Sequence, residues 1–148
     1  MPMSPHPTSF GVFKPIHHVV MSFKTMSQMN LAIHNVFDAQ FDPKQVYEYT
    51  SQQMQLQAEH DVDKATTLAG IGQDLNLVKE HLALAKLGYC FLVVCAPETD
   101  QVEQLAAIAL NCGAARAQNY GRFVVEELIP KSEAIPQRPE SLETGLDN

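Results

Sequence analysis

The sequence predicts a one-domain α+β fold, on three observations. Residues 89–96 (YCFLVVCA) form an apolar run of strand length. Two segments with helical periodicity each stop at a glycine, Gly88 and Gly113. Strand-like and helix-like segments alternate in the order β-α-β, helix, β-α-β.

Taken in order, residues 1–14 hold Pro2, Pro5 and Pro7 and read as a poorly ordered tail. Residues 16–23 (IHHVVMSF) have the β-branched and aromatic content of a strand. Residues 25–40 then change to helical spacing, with Met26, Met29, Ile33 and Val36 on one face. After the Asp42-Pro43 turn, residues 45–50 (QVYEYT) alternate as a second strand. Residues 51–65 read as a polar helix capped by Ser51, with a weak stripe through Met54, Ala58 and Val62. Gly70 and Gly72 break the chain, and residues 74–87 form the next helix, stopped by Gly88. The run 89–96 is then a strand covered on both faces.

Pro97 and Thr99 or Asp100 start a further helix, with Glu103 in capping-box spacing from Asp100. Its buried stripe is Val102, Leu105, Ile108, Ala109 and Cys112. Residues 114–120 return as a strand, and 123–128 (FVVEEL) are a short strand or a helical turn. Residues 130–148, with Pro136 and Pro139 among acidic residues, form an acidic tail, which leaves 15–129 as the domain. The order of elements is the ferredoxin-like βαβ-βαβ arrangement, an antiparallel sheet lengthened by a helical insertion, residues 51–87, between its second and third strands. A doubly wound parallel sheet is the competing arrangement. It wants a glycine-rich loop directly after a strand, whereas Gly70-Ile71-Gly72 follows a helix or loop.

Composition narrows the function classes. A formal charge of -7, from 17 acidic against 10 basic residues with no basic stripe, argues against nucleic acid as a partner. No apolar run nears the roughly 20 residues of a membrane span. The leading residues lack a charged start followed by an apolar block, so no secretory signal is expected and a cytoplasmic setting follows. Cys90, Cys95 and Cys112 show no C-x-x-C spacing and read as reduced core thiols.

At Ala69-Gly70-Ile71-Gly72, Leu87-Gly88-Tyr89, residues 91–94 (FLVV), Gly113-Ala114 and Tyr120-Gly121-Arg122 the chain resembles small bacterial proteins grouped as general-stress or low-temperature-induced proteins. The resemblance spans residues 68–128. It implies a ferredoxin-type α+β domain that associates with itself, and it implies no established reaction, cofactor or catalytic residue.

Five residues stand out as candidate ligand contacts: Gly70, Gly72, His81, Tyr120 and Arg122. Gly70 and Gly72 precede a helix whose free N–H groups and dipole suit an anion, although Asp74 also serves as a cap there. His81 falls within the apolar arc of Leu75, Leu77, Val78, Leu82, Leu84 and Ala85, so its imidazole needs a partner in the core, at a subunit contact or on a ligand. The opposite face, Asn76, Lys79, Glu80, Ala83 and Lys86, reads as solvated. Tyr120 and Arg122 flank a corner glycine; Arg122 either binds a carboxylate or pairs with an acid such as Glu126. His17 and His18, adjacent on a strand, point to opposite faces and do not chelate one metal. Of His60, Asp61 and Asp63, His60 and Asp63 share a helix face, and two ligands of mixed type fall below the three or four of a specific metal site, so the group reads as charged surface.

With no assembled catalytic set, metal site or cofactor motif, the expectation is a non-catalytic domain that binds a protein partner or a small anionic ligand, with a stress-related role in view. An open sheet leaves one face uncovered, and a second copy, a homodimer, is the simplest cover. The alternative is a small dimeric enzyme with His81 as general acid or base in a pocket between sheet and helices.

Overall fold

The computed structural model of the chain describes residues 8–9, 12–67 and 75–130. A short ribbon, β1 (Thr8–Ser9) and β2 (Val12–Phe13), leads into β3 (His18–Phe23) and α1 (Met26–Asp38). A single 3-10 turn, Pro43–Gln45, leads into β4 (Val46–Tyr49), followed by α2 (Ser51–Thr67) and α3 (Leu75–Lys86). The chain then forms β5 (Cys90–Cys95), α4 (Thr99–Asn111), β6 (Arg116–Tyr120) and β7 (Val125–Glu127). The main sheet has the order β4-β5-β3-β6-β7, and every neighbouring pair is antiparallel.

The apolar run of β5 lies inside the sheet, between β4 and β3, as continuous apolarity predicts. Its register, Val19↔Val94 through Phe23↔Cys90, sends Val19, Met21, Phe23, Cys90, Leu92 and Val94 to one face. There Met29, Ala32 and Val36 of α1 and Leu105 and Ala109 of α4 cover them. The other parity, Val20, Phe91 and Val93, packs on the second face against Met54 of α2 and Leu84 and Ala85 of α3. Fully burying a side chain of this kind contributes about 1.5–3 kcal/mol, so each face has a real core.

Helix ends follow their sequence signals with two corrections. The first is at α2, where Thr50 replaces the expected Ser51 as cap. Thr50 Oγ1 accepts from Gln53 N–H at 3.1 Å and Thr50 N–H donates to Gln53 Oε1 at 2.8 Å, which leaves Ser51 as the first helical residue. Thr25 and Gln28 form a reciprocal cap on α1, each bond 3.2 Å. Gly88 (φ +93) and Gly113 (φ +80) take the left-handed conformation that stops α3 and α4. The cap of α4 is Glu98, whose N–H donates to Gln101 Oε1 at 3.0 Å, in place of the expected Asp100–Glu103 box. Glu98 is extended after Pro97, so the helix starts earlier than Asp100 as cap would require.

Two further expectations change. The insertion α2–α3 packs on the chain's own sheet, so the face expected to need a second copy is already covered. Phe13, read from sequence as tail, is 7% exposed and joins the second core beside Tyr49. A hydrophobic side chain held against a sheet face by its own strand is part of the fold. Among the described residues no helix is long and apolar enough to cross a membrane.

Candidate functional site

The second core is incompletely filled at one end. Between β2, α2, α3 and the β6–β7 turn lies a cavity of about 340 Å³. Its apolar walls include Phe13, Met54, Ala58, Leu77 and Val78, and its polar lining includes Asp61, His81, Tyr120 and Arg122. The volume equals about ten waters at ~30 Å³ each and falls at the lower end of the roughly 300–1,000 Å³ typical of small-molecule sites.

Each polar group reaches the cavity for a local reason. His81 lies on the buried face of α3 with Leu77, Val78, Leu84 and Ala85, as the helical wheel predicts, and is 3% exposed. Its Nε2 is 3.4 Å from Gln118 Oε1, and its ring stands edge-on to Phe91 at 5.4 Å and to Phe13 at 6.2 Å. The amide nitrogen of Gln118 donates to Glu127 at 3.1 Å and to Glu80 at 3.4 Å, which turns its oxygen toward His81 and makes Nε2 the donor of that pair. Arg116, in the same polar cluster, meets Glu80 at 2.5 Å and Glu127 at 3.6 Å. Glu80 is thus half-buried and paired, not part of a merely solvated face. The close Arg116–Glu80 contact lies off the hydrogen-bond direction, and Arg116 Nε has no hydrogen-bond partner among the described residues.

Tyr120 ends β6, and its backbone oxygen accepts from His17 N–H at 2.7 Å. Gly121 then turns the chain: its N–H donates to Val124 oxygen at 2.8 Å, and a Cβ there would sit 3.0 Å from that oxygen. The turn carries Arg122, Phe123 and Val124 to the cavity mouth, where Phe123 is 90% exposed. Arg122 is exposed and makes no ion pair among the described residues, so the expected pairing with Glu126 is absent there. The arginine that pairs with acids is Arg116, because its side chain is buried and needs them.

Asp61 corrects the reading of residues 60–63 as charged surface. It is 1% exposed, while His60 and Asp63 are exposed. Oδ1 accepts from the Gln57 amide at 2.8 Å, and Phe13 N–H is shared between Oδ1 at 3.3 Å and Oδ2 at 3.2 Å. Burial pushes its pKa up to about 6 against the lowering effect of those hydrogen bonds and of His60. Met54, Ala58 and Asp61 follow i, i+4, i+7, so the helical period places Asp61 on the buried stripe where Val62 was expected.

Of the five candidates, His81, Tyr120 and Arg122 converge on this cavity. Gly70 and Gly72 lie outside the described residues, as does Asp74. His17 is exposed with φ +67, and His18 sits by Tyr47 with its Nδ1 2.9 Å from Ile16 oxygen; burial lowers its pKa. None of the cysteines lines the cavity, and burial raises the thiol pKa of Cys90 and Cys95, away from nucleophilic character. Among the described residues no three His, Cys, Asp or Glu side chains group to hold a metal ion. The lining can therefore enclose an apolar body, hold an anion at the mouth through Arg122, and offer a carboxylate and an imidazole inside. Compared with family models, curated proteins and solved structures, the chain gives no match.

Proposed function

We propose that this chain is a non-catalytic binding domain of ferredoxin-like type whose cavity takes a small, largely apolar ligand bearing an anionic group. The order β4-β5-β3-β6, with the crossover helices α1 and α4 on one face, supports the fold assignment. The observation that carries the function is that His81, Tyr120 and Arg122 line one apolar cavity, with Arg122 unpaired among the described residues at its mouth. A guanidinium there meets a carboxylate in fork geometry while the body of the ligand displaces water from Phe13, Met54, Leu77 and Val78. A second copy is no part of this proposal, because α2 and α3 already cover the face it would occupy. A stress-related role is likewise a proposal, resting on the resemblance over residues 68–128 alone.

Cinnamate, a flat apolar acid, and cinnamamide, its uncharged analogue, test the reading by calorimetric titration. Cinnamate is expected to bind more tightly, and Arg122→Ala to weaken it about fivefold, matching ~1 kcal/mol for a solvent-exposed charge pair. Equal binding of acid and amide, or no binding of either, refutes the assignment. The enzyme alternative draws on the same convergence of His81 with Tyr120 and Arg122. The engagement of His81 Nε2 by Gln118 supports a positioned, structural imidazole over a proton-transfer group.

A further inference from the structure

We infer that the ligand of this cavity carries a hydroxyl group at its buried end, which donates to the carboxylate of Asp61. The inference rests on the binding reading above and adds what the inner end of the site recognises.

Asp61 is a buried acid that the fold leaves incompletely satisfied. A carboxylate offers about four acceptor sites. Among the described residues two donors reach this one, the Gln57 amide and the Phe13 N–H, and the second is divided between both oxygens. Oδ2 therefore holds only a share of one long hydrogen bond, 3.2 Å. Asp61 makes no ion pair among the described residues, although it is 1% exposed. Buried charges are ordinarily paired or fully hydrogen-bonded, so an acid left short of donors while lining a cavity points to a donor supplied by the occupant.

The chemistry selects among donors. An ammonium would require a second ion to lose its water, at several kcal/mol per ion before the attraction is recovered. A hydroxyl loses less hydration and gives a charge-assisted O–H···O⁻ bond, among the stronger hydrogen bonds available. It can also accept a hydrogen bond from the carboxyl when Asp61 is neutral, so it matches either state of an acid titrating at about 6. The acidic end of the ligand stays at the mouth, because Arg122 is exposed and Asp61 is enclosed. The aromatic rings of Phe13, His81 and Tyr120 in the lining favour a flat body between the two ends. The class is thus a hydroxyaryl carboxylate with its two polar groups at opposite ends.

Calorimetric titration of the full chain with cinnamate and para-hydroxycinnamate reads the hydroxyl directly. The hydroxylated acid is expected to bind at least about tenfold more tightly, as a hydrogen bond to a charged group allows. In Asp61→Asn that preference is expected to shrink below about threefold. Cinnamate binding that depends on Arg122 but gains nothing from the hydroxyl overturns this inference and leaves the binding reading standing. A preference that survives Asp61→Asn also overturns it, as does tighter binding of the para-aminomethyl analogue, which would mark a cationic ligand. Binding of neither acid overturns both readings. The comparison of the two acids in the wild-type chain requires no variant to fold.

Discussion

Replacing Asp61 by asparagine should make the protein more stable at neutral pH and leave it nearly unchanged in acid. The two side chains have almost the same shape. The asparagine keeps an oxygen for Phe13 N–H, while the Gln57 amide can turn to present its oxygen to the new NH2 group. What the substitution removes is ionisation in a buried place. The folded chain holds the Asp61 proton up to about 6, whereas the unfolded chain releases it near 3.8. A folded-state pKa above the unfolded value means that the folded state binds more protons across this window. Stability from this group is complete below 3.8 and is lost as pH rises through about 6. A shift of about two units corresponds to roughly 3 kcal/mol at neutral pH, and at 1% exposure there is little solvent to screen it.

The assay is urea unfolding of both proteins by circular dichroism at several pH values from acid to mildly alkaline. The difference between the two cancels other titrating groups common to both, including His18. The asparagine variant should match the wild type near pH 4 and gain most of the roughly 3 kcal/mol by pH 7. A difference that does not change with pH refutes the burial of an ionisable Asp61. A difference that grows toward acid refutes the sign of the shift.

The remaining predictions concern the frame of the site. Arg116→Ala leaves Glu80 and Glu127 facing the Gln118 amide without their cation and should lower stability by about 2–3 kcal/mol, since both acids keep some solvent; an unchanged urea midpoint would show that the cluster is not energetically coupled. Gly88→Ala should lower stability by about 1 kcal/mol through backbone conformation alone, because φ is +93 and a Cβ would meet nothing within 4 Å. A neutral result in thermal unfolding would place Gly88 outside the left-handed region.

Glu80, Arg116, Gln118 and Glu127 form a polar layer between α3 and the last two strands, and this layer fixes where His81 stands. The cavity is bordered by the strap carrying Phe13 on one side and by α2 and α3 on the other. The β6–β7 turn closes neither side, so the mouth stays open at Arg122 and Phe123.

The sequence by itself determined the elements and their stops. The β-branched runs of β3 and β5, and Gly88 and Gly113 as helix ends, act through neighbours a few residues away, so period and composition report them. The burial of His81 was legible for the same reason, as a position on a helical wheel. Asp61 was legible in principle, since Met54, Ala58 and Asp61 keep the helical period, but its charge argues for the surface and a four-residue step from Ala58 points to Val62 instead. Tertiary structure alone decided that α2 and α3 lie on the chain's own sheet, that Phe13 closes the cavity, and that Arg116, not Arg122, meets acids. Each of these depends on partners far away in sequence, Phe13 on a carboxylate at separation 48 and Arg116 on Glu80 of α3. Local propensity carries no record of such pairs, because what places them is the shared exclusion of water when two distant segments pack on one sheet face.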